Sequence, residues 1–339
     1  AAHVRLPSNL ISECESVTIE TWMTIDELQG WGRVFDFGNK EGTAGTKYMF
    51  FAPYNMTVNS SSANFVVSGQ GGAEQCLYRE GYYIPTGEEV HVAITVLADG
   101  NLGRMYVNGI MVAESLEISN NPAKIGPMEY CYLGRSMYAG DPIFKGVLNE
   151  FRTWNGAMSP LGIAVNTAVG PDSLFEGELG ELTDIRIVVD NENPLPGEEV
   201  GYVVYADFEN LKNVPFNTMD GVVVTCDNPN IDLGLWSYSS PFVLSGNLTV
   251  TYGDKVVEKP IAIKDTTVEL MHRYSFDDGA YTNPVDSVGG MNGVNYGLDI
   301  QDGNLIMTTN IYIELPQGIL SGTEDGSITF ETWLDLEAT

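Results

Sequence analysis

The sequence predicts an all-β protein built from more than one sandwich, and three observations carry that expectation. Apolar and polar residues alternate with period two along "SVTIETWMTI", "KYMFFA", "ANFVVSG", "EVHVAITVLA", "GRMYVNGIMVAE" and "GVLNEFRTW", the pattern of strands with one buried face. Gly, Asn, Asp and Pro punctuate these runs, as in "LADGNLG" at 97–103 and "VNG" at 107–109, where turns with positive φ cost such residues least. Sustained helical periodicity is missing, apart from a short turn suggested by "SPLGIAVNTA" at 159–168,.

Taken in order, the strand-rich run occupies residues 1–168, and a Gly- and acid-rich stretch at 169–181 reads as a linker,. Residues 182–269 change rhythm, through "TDIRIVVDNENP", "GYVVYADF", "GVVVTCDNP" and "NLTVTYGD". Strand signals there recur every ~8–12 positions, which fits a small sandwich of immunoglobulin type. Cys226 and Trp236 do not reproduce the Cys…Trp…Cys spacing of antibody domains, so only the architecture is expected. From residue 270 a third texture begins, and it repeats the start of the chain. "VRLPSNLIS" at 4–12 matches "IELPQGILS" at 313–321, and "VTIETW" at 17–22 matches "ITFETW" at 328–333. Two blocks in the same order at nearly equal offsets are an internal repeat.

Length and charge bound the function classes. A chain of 339 residues suffices for two cores and part of a third,. The 46 acidic residues against 16 Lys and Arg give a formal charge of −30. That field repels phosphate backbones and anionic lipid surfaces, so neither nucleic acid nor a membrane surface is an expected partner. A solvated acidic surface accounts for the excess, with calcium sites built from loop oxygens as the sharper alternative. Cys14, Cys76, Cys131 and Cys226 form no C-x-x-C pair, which argues against zinc or a thioredoxin-like motif and leaves up to two disulfides open. No apolar run reaches the ~20 residues of a membrane span. Without an initiator Met or a leader pattern, the sequence reads as a piece cut from something longer.

The runs "HRYSFDDG", "DSVGGMNGVNYG", "WGRVFDFGN", "GRMYVNGIMVAE", "YLGRS" and "GVLNEFRTWNGAMS" together resemble the laminin G-like, concanavalin A-like jelly-roll module of bacterial surface proteins. The resemblance covers roughly residues 1–160 and 271–339; the middle segment resembles bacterial immunoglobulin-like spacers. It implies an extracellular or cell-surface location. It also implies a first jelly roll lacking its opening strand and, at 270–339, the first part of a second. In this family the first and last strands lie side by side. The resemblance therefore implies that an opening strand bearing Tyr274 and Phe276 belongs beside a closing strand bearing Leu148, Phe151 and Trp154, supplied from another copy by strand complementation. The expected function is a structural, adhesive repeat unit joined head to tail with copies of itself into a fibre, or in tandem; a carbohydrate-binding module for polysaccharides is the alternative.

Candidate sites follow. "DSVGGMNG" resembles the family's cation loop, which implies Ca2+ at Asp286 and Asn292, approached by Asn149 and Glu150; the family often has Asp-Glu where Asn149 and Glu150 stand. For a glycan, Trp31, Tyr54, Arg135 and Tyr138 lie in or beside predicted loops, where rings can stack on sugar faces. Trp22, Trp154 and Trp333 sit in apolar alternation and are expected in the core. Strict alternation along "GVLNEFRTW" places Phe151 with Val147 and Asn149 on one face, and Leu148, Glu150, Arg152 and Trp154 on the other. A hydrolase would need paired carboxylates. Glu331, Asp335 and Glu337 offer some, but Thr24 takes the place of Asp335 in the first copy, so no enzyme is expected. His3, His91 and His272 have no nucleophile or metal motif nearby and are expected to be structural.

Overall fold

The computed structural model describes residues 2–55, 62–69, 73–264, 270–277, 282–307, 312–320 and 328–333. Its contacts divide the chain into two compact units, Ala1–Asp265 and Thr266–Thr339. The first unit opens with eleven strands: β1 (Val4–Leu6), β2 (Val17–Glu27), β3 (Phe35–Glu41), β4 (Ala44–Asn55), β5 (Ser62–Ser68), β6 (Glu74–Tyr78), β7 (Glu89–Leu97), β8 (Leu102–Val107), β9 (Ile110–Ser115), β10 (Tyr130–Leu133) and β11 (Lys145–Asn155). They form two antiparallel sheets, ordered β1-β10-β3-β4-β5-β6 and β11-β2-β7-β8-β9. This is the jelly-roll sandwich that the alternation predicts. One set of alternate residues fills the space between the sheets, including Ile19, Met23, Phe35, Phe37, Phe51, Phe65, Val92 and Ile94.

At β11 the simple alternation fails. Its pairing with β2 shifts between Leu148 and Glu150, and the extra residue of this bulge turns Leu148 and Phe151 to the same side. Both pack, half-buried, against the main core, so Leu148 does not share a face with Glu150, Arg152 and Trp154. Among the described residues β11 pairs with β2 alone and ends its sheet.

Trp22 and Trp154 are not in the space between the sheets. They lie on the outer face of the five-stranded sheet, which is closed by the helices' longer member. A single turn, α1 (Pro122–Ile125), precedes the longer helix α2 (Pro160–Val169). Ser159 caps α2, its Oγ accepting from Gly162 N at 3.1 Å, and Gly170 ends it at φ 85°,. Ile163 packs on Ala93 and Tyr106 of the sheet, while Ala164 and Val165 belong to a second core. A helix covered on both sides has no polar stripe, which is why only a short turn was legible at 159–168.

That second core lies between the sheet β12 (Leu182–Val189), β13 (Val200–Phe208), β14 (Val214–Pro215), β16 (Asp232–Leu233), β17 (Ser237–Ser239) and the sheet β15 (Val223–Cys226), β18 (Leu244–Tyr252), β19 (Lys255–Ile263). It touches the first sandwich where Met111 N donates to Thr218 Oγ1 at 3.1 Å and the Arg79 guanidinium stands 3.9 Å from the Trp236 ring. All four cysteines are free thiols, so none of the possible pairings forms.

Beneath α2 lies a fully buried carboxylate, Glu20. It accepts from Trp154 Nε1 at 2.8 Å and Asn166 Nδ2 at 3.0 Å, and faces His91 Nε2 at 3.2 Å and Arg152 Nη1 at 3.5 Å. Trp22 is stacked on His91 at 4.0 Å and carries the Arg152 guanidinium at 4.3 Å. Burial pushes the His91 imidazole below its usual range. Burial also opposes the Glu20 charge, but hydrogen bonds from His91, Trp154 and Asn166 hold that carboxyl below the usual range,.

The second unit contains β20 (Val294–Tyr296) paired with β23 (Tyr312–Glu314), and β21 (Asp299–Gln301) paired with β22 (Asn304–Ile306). Its copy of the β2 hexapeptide is not core: Trp333 is 90% exposed, while Trp22 is 3% exposed. Residues 328–333 form no ladder, so the indole has no sheet behind it.

Replacing Glu20 by Ala leaves the donors of His91, Trp154 and Asn166 without their acceptor and the Arg152 charge without its partner, and should cost about 3–5 kcal/mol. Denaturant midpoints check this, and Glu20→Gln should fall between Ala and the natural residue.

Candidate functional site

With one outer face covered by α2, the other outer face of the sandwich is the place to look. Register aligns Arg5, Tyr132, Asp36, Phe50, Val66 and Cys76 across the six-stranded sheet, and Tyr130, Gly38, Tyr48, Ser68 and Glu74 in the next row. Gly38 has φ 155°, and a Cβ there would meet Lys47 O at 2.1 Å, so no larger residue fits,.

Two loops fold onto this face and build a small core of Tyr48, Phe50, Ala52, Val66, Tyr132 and Met137. At its centre the Arg33 guanidinium lies 3.6 Å from the Phe50 ring centroid,. Arg33 Nη1 donates to Asp36 Oδ2, and Nη2 stands 3.2 Å from Asp141 Oδ2. Met137 N also donates to Asp36 Oδ2, at 2.8 Å, and Ser136 Oγ donates to Asp141 Oδ2 at 2.7 Å. Burial pushes the Asp36 carboxyl up to about 6, against the pull of Arg33 and the Met137 N–H,.

All four residues proposed from sequence for a glycan are half-buried; Trp31, Arg135 and Tyr138 come to this face, and Tyr54 meets Trp31 through its backbone. Trp31 meets Phe50 edge-on at 6.3 Å, and its N–H donates to Tyr54 O at 3.0 Å. Tyr138 donates through its hydroxyl to Gly45 O and reaches Tyr48 Oη, each at 3.2 Å. The Arg135 guanidinium lies 5.5 Å from the Tyr132 ring. Trp31 has φ 69°, a left-handed conformation that costs a bulky residue of order 1–3 kcal/mol. Sequence reasoning missed Arg33, Asp36, Tyr48, Tyr130 and Tyr132. Asp36 could have been flagged as the one charge inside the alternating run "VFDFG"; a burial that depends on loops leaves no period to read.

The residues proposed for Ca2+ fall in different units. Asp286 is 4% exposed and its carboxylate is filled by N–H donors. Oδ1 accepts from Arg273, Val288 and Gly289 N at 3.0–3.1 Å, and Oδ2 from Met291 N at 3.0 Å and His272 Nδ1 at 2.6 Å. Asn292 Oδ1 accepts from Asp286 N at 2.9 Å. Burial opposes this charge, yet the hydrogen bonds hold the carboxyl well below the usual range. In the first unit, Glu150 accepts from Arg152 Nε at 2.6 Å and from Asp172 N, and Asn149 Nδ2 donates to Glu89 Oε2 at 2.8 Å. Among the described residues no three His, Cys, Asp or Glu side chains are gathered as a metal site. Tyr274 Oη donates to Met291 O and closes the same loop, while Phe276 is half-buried within that unit. Asp335 and Glu337 lie outside the described residues, and Glu331 is exposed.

Residues 1–164 match the concanavalin A-like lectin/glucanases superfamily. No curated protein matches the chain. Among solved structures it is similar to domain 4 of AbnA, a GH43 extracellular arabinanase from Geobacillus stearothermophilus in complex with arabinotriose, at 22% identity and a TM-score of 0.38, covering 48% of this chain and 70% of that one. It is also similar to the Ruminococcus gnavus IT-sialidase CBM40 bound to alpha2,3 sialyllactose, at 12% identity and a TM-score of 0.38 over 47% of this chain and 93% of that one. The NanB sialidase from Streptococcus pneumoniae matches at 14% identity and a TM-score of 0.43, over 90% of this chain and 48% of its own.

Two expectations follow. The folded Asp36 carboxyl takes its proton near 6, while in the unfolded chain it does so near pH ~3.9. The folded state therefore binds the extra proton between those values, and this group lowers stability as pH rises through that window and adds no slope above it. Subtracting the melting-point profile of Asp36→Asn from that of the natural chain should isolate this fall between about pH 4 and about pH 6. Asp286, with its depressed carboxyl, has the opposite sign: the order it gives its loop is present above pH ~3.9 and lost as pH falls further. Limited proteolysis of Asp286→Ala should show new cuts within residues 282–293.

Proposed function

We propose that the first sandwich is a carbohydrate-binding, lectin-like module that works outside the cell and has no catalysis of its own. The observation that carries this reading is the gathering of Trp31, Arg135 and Tyr138 on one sheet face, with Trp31 held in a strained backbone conformation. Strain persists where surrounding contacts impose it, and here they hold a half-buried indole at the surface. Rings presented this way offer flat apolar area with polar edges, which suits the faces and hydroxyls of sugars. The buried Arg33 and Asp36 pair fixes the platform below. No helix among the described residues is long and apolar enough to cross a membrane.

Glycan arrays followed by calorimetry on the full chain test the reading. Trp31→Ala and Tyr138→Ala should each weaken the best glycan by about tenfold or more, with melting points close to the natural chain. Absence of binding to any glycan, or binding that survives both changes, would falsify it.

A second reading, a head-to-tail repeat unit joined to copies of itself, draws on two observations. Among the described residues β11 has one unpaired edge, and Ile328, Phe330 and Trp333 are 47, 75 and 90% exposed where their first-copy equivalents Val17, Ile19 and Trp22 are buried. It predicts concentration-dependent association in sedimentation, abolished by Phe330→Asp with Trp333→Asp.

A further inference from the structure

The candidate face has a charged corner that adjoins the aromatic platform and shares Arg135 and Tyr132 with it. Along β1 and β10 three of the chain's 16 Lys and Arg residues converge on two tyrosines. Arg5 Cζ lies 5.0 Å and Lys40 Nζ 4.6 Å from the Tyr130 ring, and Arg135 Cζ lies 5.5 Å from the Tyr132 ring. His3 meets Tyr132 edge-on at 5.5 Å and stands 3.4 Å from Arg135 Nη1.

Acids outnumber bases 46 to 16 in this chain, yet none of these three cations makes an ion pair with a carboxylate among the described residues. Arg5 instead donates to the backbone O of Glu129 at 3.2 Å. A guanidinium or ammonium lying over a ring is held by the ring's quadrupole while donors remain for an anion. Arg5, Tyr132, Asp36 and Phe50 lie on four successive strands, so Arg5 stands about 14 Å, three strand spacings, from the Phe50 centre of the platform, and Tyr132 belongs to both. The overall charge of −30 does not forbid an anion here, because screening at physiological salt confines the field to ~8 Å.

We propose that this corner is a subsite for the carboxylate of an acidic sugar, so that the glycan recognised is a uronate-bearing polysaccharide. The proposal rests on the glycan-binding reading and deepens it. A sulfate ester offers similar charge, and the measurement separates the two.

The full chain is titrated by calorimetry with polygalacturonate, heparin and a neutral arabinan. The expected result is that polygalacturonate binds best. Its Kd should rise about tenfold in an Arg5→Ala, Lys40→Ala double variant, and again between about 50 mM and about 500 mM NaCl. Arabinan should respond to neither, and the melting point of the variant should stay near that of the natural chain. Polygalacturonate binding that ignores both changes overturns the subsite, as does binding of arabinan alone; in the second case the glycan-binding reading stands. Preference for heparin overturns the carboxylate assignment. Binding of none of the three overturns the subsite, while the glycan array decides the broader reading.

Discussion

The first unit depends on one buried charge. The Glu20 carboxylate sits on β2, and its partners come from β7, β11 and α2: His91, Arg152, Trp154 and Asn166. A carboxylate in that position is tolerable only with every partner in place, because an unmatched buried charge costs several kcal/mol. The helix is thus fixed on the five-stranded sheet by polar geometry as well as by the packing of Ile163 on Ala93 and Tyr106. Once that face is occupied, the six-stranded sheet is the one whose outer surface can be furnished by loops.

The two outer faces treat charge in different ways. Under α2 the acid is central and the donors surround it. On the opposite side the cation Arg33 is central, lying on Phe50 and flanked by Asp36 and Asp141. Both arrangements pair buried charges, but the second is roofed only by loops and ends in half-buried rings. A surface that combines a rigid sheet below with loop-borne aromatics above is how sandwich folds carry recognition without altering their core.

Much of this was legible in the sequence, and the failures have physical causes. Alternation located the strands of the first sandwich because each has one face turned to a shared core. It misplaced Leu148 because a bulge breaks the period of two, and no residue in "VLNEF" announces one,. It placed Trp22 in the core, and Trp22 is buried, under α2 instead of between the sheets, because a helix on the far face also makes outward positions apolar; Trp154 beside it is half-buried. Helix α2 itself left no stripe, being covered from two sides. Arg33 and Asp36 left no periodic signal because their burial comes from residues a hundred positions away, such as Met137. The run "DSVGGMNG" was read as a cation loop anchored by Asp286; here that carboxylate gathers the N–H groups of its own loop.

The order in which the strands are made has a consequence for the chain during synthesis. β2 emerges early, but the residues that complete it are remote: Glu20 waits 71 positions for His91 and 134 for Trp154. At ribosomal speeds of roughly 5–20 residues per second the second interval lasts on the order of ten seconds. Until β7 follows, the hexapeptide has no strand beside it, and until β11 follows one of its edges stays open; this is the kind of segment that chaperones hold and that aggregation recruits.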